Sequence, residues 1–225
     1  VQGLGGSTPS GLAVGTLSEI AFTSFHPTKM IPGYGGAVAT DDDALWEAIQ
    51  RIPLNDHAPS LDLPSPGTGR LRRYRSQIQP VRAALIRPFD PGTLGHNVEQ
   101  IQKGWQYLSD NVTQRNERAA LLHNELSAAG LHLLDIRPGD SIWRLTFAAH
   151  NTASANWIAR HLQSAGLPGS RLYPSLSGLF APGTAPIAEA IAPRLVNLWV
   201  DHTVDSRYLQ RVAEIVLSAP RIPLT

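Results

Sequence analysis

A chain of 225 residues with 42% hydrophobic and 16% charged residues has the balance of an ordinary globular protein. Its formal charge of +1 argues against a partner, such as duplex DNA, that needs a basic field. With no cysteine, disulfides, zinc ribbons and thiol catalysis are excluded; no metal site is expected, and no apolar run approaches a membrane span.

In chain order, Ile20 to Phe25 and Ala37 to Thr40 are short apolar runs suited to strands. Asp41 is placed to cap a helix from Ala44 to Arg51, with Asp42 and Asp43 as an acidic first turn. Between Pro53 and Pro91, seven further prolines and glycines (Pro59, Pro64, Pro66, Gly67, Gly69, Pro80 and Pro88) predict a long loop, with a short helix near 81–86. Between Asn97 and Ala128 the apolar residues Ile101, Trp105, Leu108, Val112, Ala119, Leu122 and Leu126 recur at three and four, which predicts one long helix ended by Gly130. Beyond it the pattern predicts strands at 131–136 and 142–149. A helix follows at 153–165, opened by Asn151 or Thr152 and closed by Gly166. A strand near 170–173, a helix at 186–192, a strand at 196–200 and a terminal helix at 204–217 complete the series, with Thr203 as the cap of the last and Asp205 as its first-turn charge. The chain divides near residue 110: an α/β part at 1–110 carrying the insertion, and a compact α+β domain at 111–225.

Lys29 is one of two lysines, the other being Lys103, in a chain with seventeen arginines. It lies in Phe22-Thr-Ser-Phe-His-Pro-Thr-Lys-Met-Ile-Pro-Gly-Tyr-Gly-Gly-Ala-Val-Ala-Thr40, a stretch without carboxylates. An amine among apolar residues loses solvation of its charged form, so its pKa falls and it becomes a nucleophile toward carbonyls. The competing reading is a solvated loop lysine. Gly33, Gly35 and Gly36 allow close backbone approach, but their spacing is not that of a dinucleotide fingerprint. Arg70-Leu-Arg-Arg-Tyr-Arg75 suits phosphates, although such a cluster is more often a solvated basic loop, and RNA binding there lacks interleaved aromatics.

The segment Ser24-Phe-His-Pro-Thr-Lys29, followed by Gly33-Tyr-Gly-Gly36, resembles the lysine motif of the DegT/DnrJ/EryC1/StrS aminotransferases. The resemblance extends through Leu94-Gly-His-Asn97, the basic helix from Arg115-Asn-Glu-Arg118 to Leu126, Gly166-Leu-Pro to Tyr173-Pro-Ser175, and Ala192 to Asp205. It implies the C-terminal part of a fold type I large domain followed by a small α+β domain. It also implies pyridoxal 5'-phosphate as cofactor, glutamate or glutamine as amino donor, and a keto-sugar, nucleotide-linked, or a keto-cyclitol as acceptor. By the same resemblance Lys29 is the Schiff-base lysine. Ser24 and a trans-acting Asn97 would hold the cofactor phosphate, and Gln2 would lie beside the phenolic oxygen. For each there is a plainer role: a strand-end serine bonding local backbone, a helix N-cap, and a frayed terminal residue. His26 is read as a loop residue and Tyr173 as lining the entrance; Ser177-Gly178 stand where relatives often carry a histidine. Val1-Gln-Gly-Leu-Gly-Gly looks like the family's Asp-Ala-Ala-Gln-Ser-Leu-Gly with its start cut away, so an N-terminal half is expected on further residues of the polypeptide or on a companion chain. A cytoplasmic homodimer is the expected setting, with a non-catalytic homologue or subunit needing a companion chain as the alternative.

Overall fold

The computed structural model describes residues 3–33, 35–51, 98–171, 175, 177 and 183–220. The 53–91 insertion with its arginine cluster, the start of the helical stretch at Asn97, and Gln2, Tyr173 and Gly178 lie outside these residues.

Strand β1 (Ala21–Ser24) pairs antiparallel with β2 (Gly36–Ala39), with Ser24 opposite Gly36. No parallel pair occurs among the described residues, although a parallel sheet is what a cofactor domain leads one to expect. The reason is local: the link from Ser24 to Gly36 contains no helix, and a parallel return needs a longer crossover. Gly36 makes the pairing possible, because a Cβ there would stand 2.6 Å from the Thr23 carbonyl oxygen. Helix α1 (Asp43–Gln50) is capped by Asp42 rather than Asp41. The Thr40 hydroxyl donates to the Glu19 carbonyl and accepts from the Asp42 N–H, so the chain stays extended one residue further, and the Asp42 carboxylate then meets Leu45 N–H at 2.8 Å.

The long helix expected from Asn97 is two: α2 (Val98–Gln106) and α3 (Leu108–Ala128), separated at Tyr107. The two serve different surfaces. Helix α2 buries no residue and leans on the Lys29 loop, where Gly104 approaches Ile31 and Ile101 approaches Gly33. Helix α3 buries Val112, Arg115, Ala119, Leu122 and Leu126, a stripe at three- and four-residue spacing. Gly130, at φ +80°, ends it: Leu131 N–H returns to the Leu126 carbonyl and Gly130 N–H to that of Ser127.

Strands β3 (His132–Leu133), β4 (Arg144–Ala148), β5 (Gly169–Ser170) and β6 (Leu195–Trp199) form an antiparallel sheet in the order β3-β4-β6-β5. β3 is shorter than the sequence suggests, while residues 172 and 173 of the strand expected near 170–173 lie outside the described residues. Helices α4 (Thr152–Ser164), α5 (Pro186–Ile191), a 3-10 turn (Ala192–Arg194) and α6 (Ser206–Leu217) complete the chain. Along β4 the buried residues alternate, so Leu145 faces Leu198 and Phe147 faces Val196 in the core. Leu122 and Leu126 of α3, Ile158 and Leu162 of α4, and Val212 and Val216 of α6 join the same cluster. Arg144 pairs with Trp199 and Thr146 with Asn197, at the positions alternating with those core pairs. No helix among the described residues is long and apolar enough to cross a membrane.

Candidate active site

Lys29 lies in the loop joining β1 to β2. The loop is closed at its base by Phe25 N–H donating to the Gly35 carbonyl at 2.8 Å, where Gly35 takes φ +83°. Within it Lys29 N–H donates to the His26 carbonyl at 2.8 Å, and the His26 ring nitrogen Nδ1 bonds the Thr28 hydroxyl at 3.2 Å. That contact gives His26 the loop-building part expected of it. Phe25, Met30 and Ile31 are buried and anchor the loop.

The Lys29 amine is half-buried, and its Nζ stands 3.8 Å from the centroid of the Trp143 ring. Burial, and then the charge of Arg144, push its pKa below the ordinary lysine value. Arg144 itself lies over two indoles, 4.1 Å from the Trp143 centroid and 3.7 Å from that of Trp199. Its guanidinium also donates to the Ser170 hydroxyl at 3.3 Å. A cation beside a partly desolvated amine favours the neutral, nucleophilic form.

The main chain around Lys29 is held by α3 and by the residue preceding β4. Thr28 O accepts from Trp143 Nε1 at 2.8 Å and from an Arg115 nitrogen at 3.2 Å. Lys29 O accepts from Arg115 at 3.0 Å, and Met30 O from Asn111 Nδ2 at 2.5 Å. Arg115 also donates through Nε to Asn111 Oδ1 at 2.9 Å and to the Trp143 carbonyl at 3.0 Å. It is fully buried, which brings its pKa down to about 10 against the opposing pull of Asp201, so it stays charged at neutral pH. A buried guanidinium is tolerable only when its donors are met, each such charged bond being worth about 1.5–3 kcal/mol.

Of the residues singled out from sequence, Ser24 stands at the end of β1, half-buried and opposite Gly36. Ser24 and Lys29 thus belong to one hairpin. Gln2 and Asn97 lie outside the described residues. Sequence reasoning did not single out Asn111, Trp143 or Arg144. For Arg115 it saw only a basic helix, although the signal was present: Arg115 occupies an apolar position in the Val112, Ala119, Leu122, Leu126 stripe.

Among curated proteins, none matches the sequence. Solved structures do. A DegT DnrJ EryC1 StrS aminotransferase from Brucella abortus superposes with a TM-score of 0.64 at 16% identity, over 96% of this chain and 54% of that one. Spr1654 of Streptococcus pneumoniae in its PLP form gives a TM-score of 0.66 at 14% identity, over 96% and 55%. DesI in the presence of its TDP-sugar product gives 0.63 at 18% identity, over 92% and 51%. The chain therefore spans about half the length of the solved structures it matches, and at these identities the likeness is one of fold. The family model described as DegT/DnrJ/EryC1/StrS aminotransferase family matches residues 2–217, and the chain belongs to that family.

Proposed function

We propose that this chain carries the reactive lysine of a pyridoxal-phosphate aminotransferase that moves an amino group from an amino acid to a keto-sugar. The observation that carries the reading is Lys29: an amine depressed in pKa, beside an indole, on a loop whose backbone is tied down at three successive carbonyls. The donor set fits the cofactor. A neutral amine is what its aldehyde requires, and the Ser24 hydroxyl at the strand end is the type of donor that suits a phosphate dianion. Such a cofactor supplies an electron sink for the carbanion left when a substrate C–H proton departs. Lys29 Nζ, once free, is the base that accepts that proton and the acid that returns it. Burial, and then the Arg144 charge, keep Nζ ready for the first role by disfavouring its protonated form.

Glutamate or glutamine is the proposed donor, and a nucleotide-linked keto-sugar or a keto-cyclitol the acceptor; the TDP-sugar product in whose presence DesI, a structure of the same fold, was solved supports the former acceptor. A cytoplasmic two-fold dimer, with Asn97 reaching the neighbouring phosphate and Gln2 the phenolic oxygen, belongs to the same reading. So does a boundary near residue 110 between a cofactor domain and a small domain. The test is covalent. Incubation with pyridoxal 5'-phosphate, borohydride reduction and peptide mapping should place the pyridoxyl label on Lys29, and Lys29→Ala should abolish it. A label on Lys103 instead would sink the assignment.

A further inference from the structure

We propose that Arg115, together with Asn111 and Trp143, forms a positioning unit that fixes the Lys29 loop through the carbonyls of three successive residues and thereby sets where the Lys29 amine stands. The proposal rests on the reading of Lys29 as the reactive amine. Its geometry is independent of any cofactor.

The unit's bonds within the loop go to main chain. Trp143 Nε1 and Arg115 meet at Thr28 O, Arg115 also takes Lys29 O, and Asn111 takes Met30 O. Asn111 and Arg115 stand four residues apart on α3, so their side chains share one face of the helix. Nε of Arg115 holds Asn111 Oδ1, which orients the Asn111 amide so that its N–H₂ points at the loop. The remaining arm of the guanidinium donates to the Trp143 carbonyl, which fixes the residue whose indole both bonds Thr28 O and faces Lys29 Nζ. A planar fork can hold acceptors in several directions at once, whereas an ammonium is a compact point charge without that fixed fork. Helix α2 also approaches the loop, without a side chain at Gly104, where a Cβ would lie 2.8 Å from Ile31 Cγ2. The loop is therefore packed against α2 and held by α3.

Packing alone does not call for arginine here. An aliphatic residue at 115 would continue the stripe that Val112, Ala119, Leu122 and Leu126 form, and a buried charge is often replaceable by apolar side chains without loss of stability. What an aliphatic residue cannot supply is the grip on Thr28 O and Lys29 O.

The experiment uses the cofactor-free chain and its own internal standard, Lys103. Limiting acetic anhydride across a pH series, followed by peptide mapping, gives a labelling midpoint for each lysine. The charged group acting on Lys29 is Arg144, which is untouched by the variants. In Arg115→Met the Lys29 midpoint should rise toward the ordinary lysine value of 10.5, as the amine leaves its half-buried place beside Trp143 and Arg144. Amide exchange in residues 26–33 should accelerate roughly tenfold or more while β4 and β6 keep their protection. Asn111→Leu should shift both readouts in the same direction by less, and it decides the matter if Arg115→Met does not fold. An unchanged Lys29 midpoint with unchanged exchange at 26–33 would overturn the proposal. So would acceleration spread evenly over α3, β4 and β6, which is the mark of a residue that only stabilises. A pyridoxyl label on Lys29 with an unshifted Arg115→Met profile would refute the positioning unit alone. A shifted profile without the label would refute the aminotransferase reading alone.

Discussion

The hairpin that bears Lys29 and the four-stranded sheet are held together by different physics. In the sheet region one continuous apolar cluster joins β4 and β6 to α3, α4 and α6, with Phe147, Leu126, Ile158, Val196, Leu198 and Val212 almost without exposure. Before residue 52 the described buried apolar residues are Phe25, Met30 and Ile31, and β2 is exposed along its whole length. Phe22 in β1 is 67% exposed. The candidate nucleophile thus sits on the weaker of the two regions, and it is steadied by polar bonds from the stronger one. A loop built this way can be placed accurately without being buried, which a reactive amine requires.

The comparison breaks most sharply at the core. Phe147→Ala should cost about 3–5 kcal/mol, the usual range for emptying a buried aromatic site. Thermal melting followed by far-UV circular dichroism checks it. Because the Lys29 loop hangs on α3 and Trp143, its exchange protection should fall in the same variant. Gly104→Ala probes the other direction. The new methyl group would meet Ile31 at 2.8 Å, so either α2 or the loop must move, at about 1–3 kcal/mol. Here the loss should be confined: faster amide exchange at 26–33 and a changed Lys29 labelling rate, with β4 and β6 still protected.

The same division decides what the sequence made legible. Strand β4 and helices α4 and α6 were readable because a buried face imposes a period, two for the strand and 3.6 for the helices, and the core supplies that face. β6, buried at Val196, Asn197 and Leu198 in succession, carries no such alternation. The cap of α4 was readable, Asn151 accepting from Ser154 N–H at 2.8 Å. That of α6 is Asp205, which accepts from Tyr208 N–H at 2.8 Å, and not Thr203, whose hydroxyl donates to the Asp201 carboxylate instead. Where no core imposes a period, the reading slipped. The cap of α1 is Asp42, one residue beyond Asp41, because the Thr40 hydroxyl bonds extend the strand exit, and no periodic pattern announces such a bond. The division of the long helix at Tyr107 escaped because both halves continue the three-and-four spacing while facing different partners. Lys29 and Ser24 could be placed on one loop from the sequence. The Arg115, Asn111 and Trp143 contacts could not, since each crosses more than eighty residues of chain to reach the loop.

Two aspartate caps offer a smaller, paired test. Asp205 opens α6, which buries Tyr208, Leu209, Val212, Ala213, Ile215 and Val216, so Asp205→Ala should lower global stability by about 1 kcal/mol. Asp42 opens α1, which buries nothing, so Asp42→Ala should fray that helix in exchange measurements and leave the melting transition where it was. Equal shifts in melting temperature would show that the hairpin region and the sheet unfold as one cooperative unit.

The smallest effect comes from Lys29 itself. Its pKa is lowered in the folded chain, by burial and then by Arg144, and returns to the ordinary lysine value of 10.5 on unfolding. Between the lowered folded value and 10.5 the unfolded state binds more protons than the folded one. In that window stability contributed through Lys29 must rise with pH, and below it the charged amine costs the fold its desolvation. Lys29→Met removes the titration while keeping an unbranched side chain for the Trp143 ring to pack against. The difference in unfolding free energy, wild type minus variant, should therefore climb as pH rises through the window and flatten on either side of it. Denaturant melts of the two proteins at matched pH values measure it. Because the amine is only half-buried and solvent screens it, the slope will be shallow, but its sign is fixed. A difference that falls with rising pH would mean that Lys29 gains a stabilising anionic partner on folding, and the neutral amine on which its proposed chemistry depends would be lost with it.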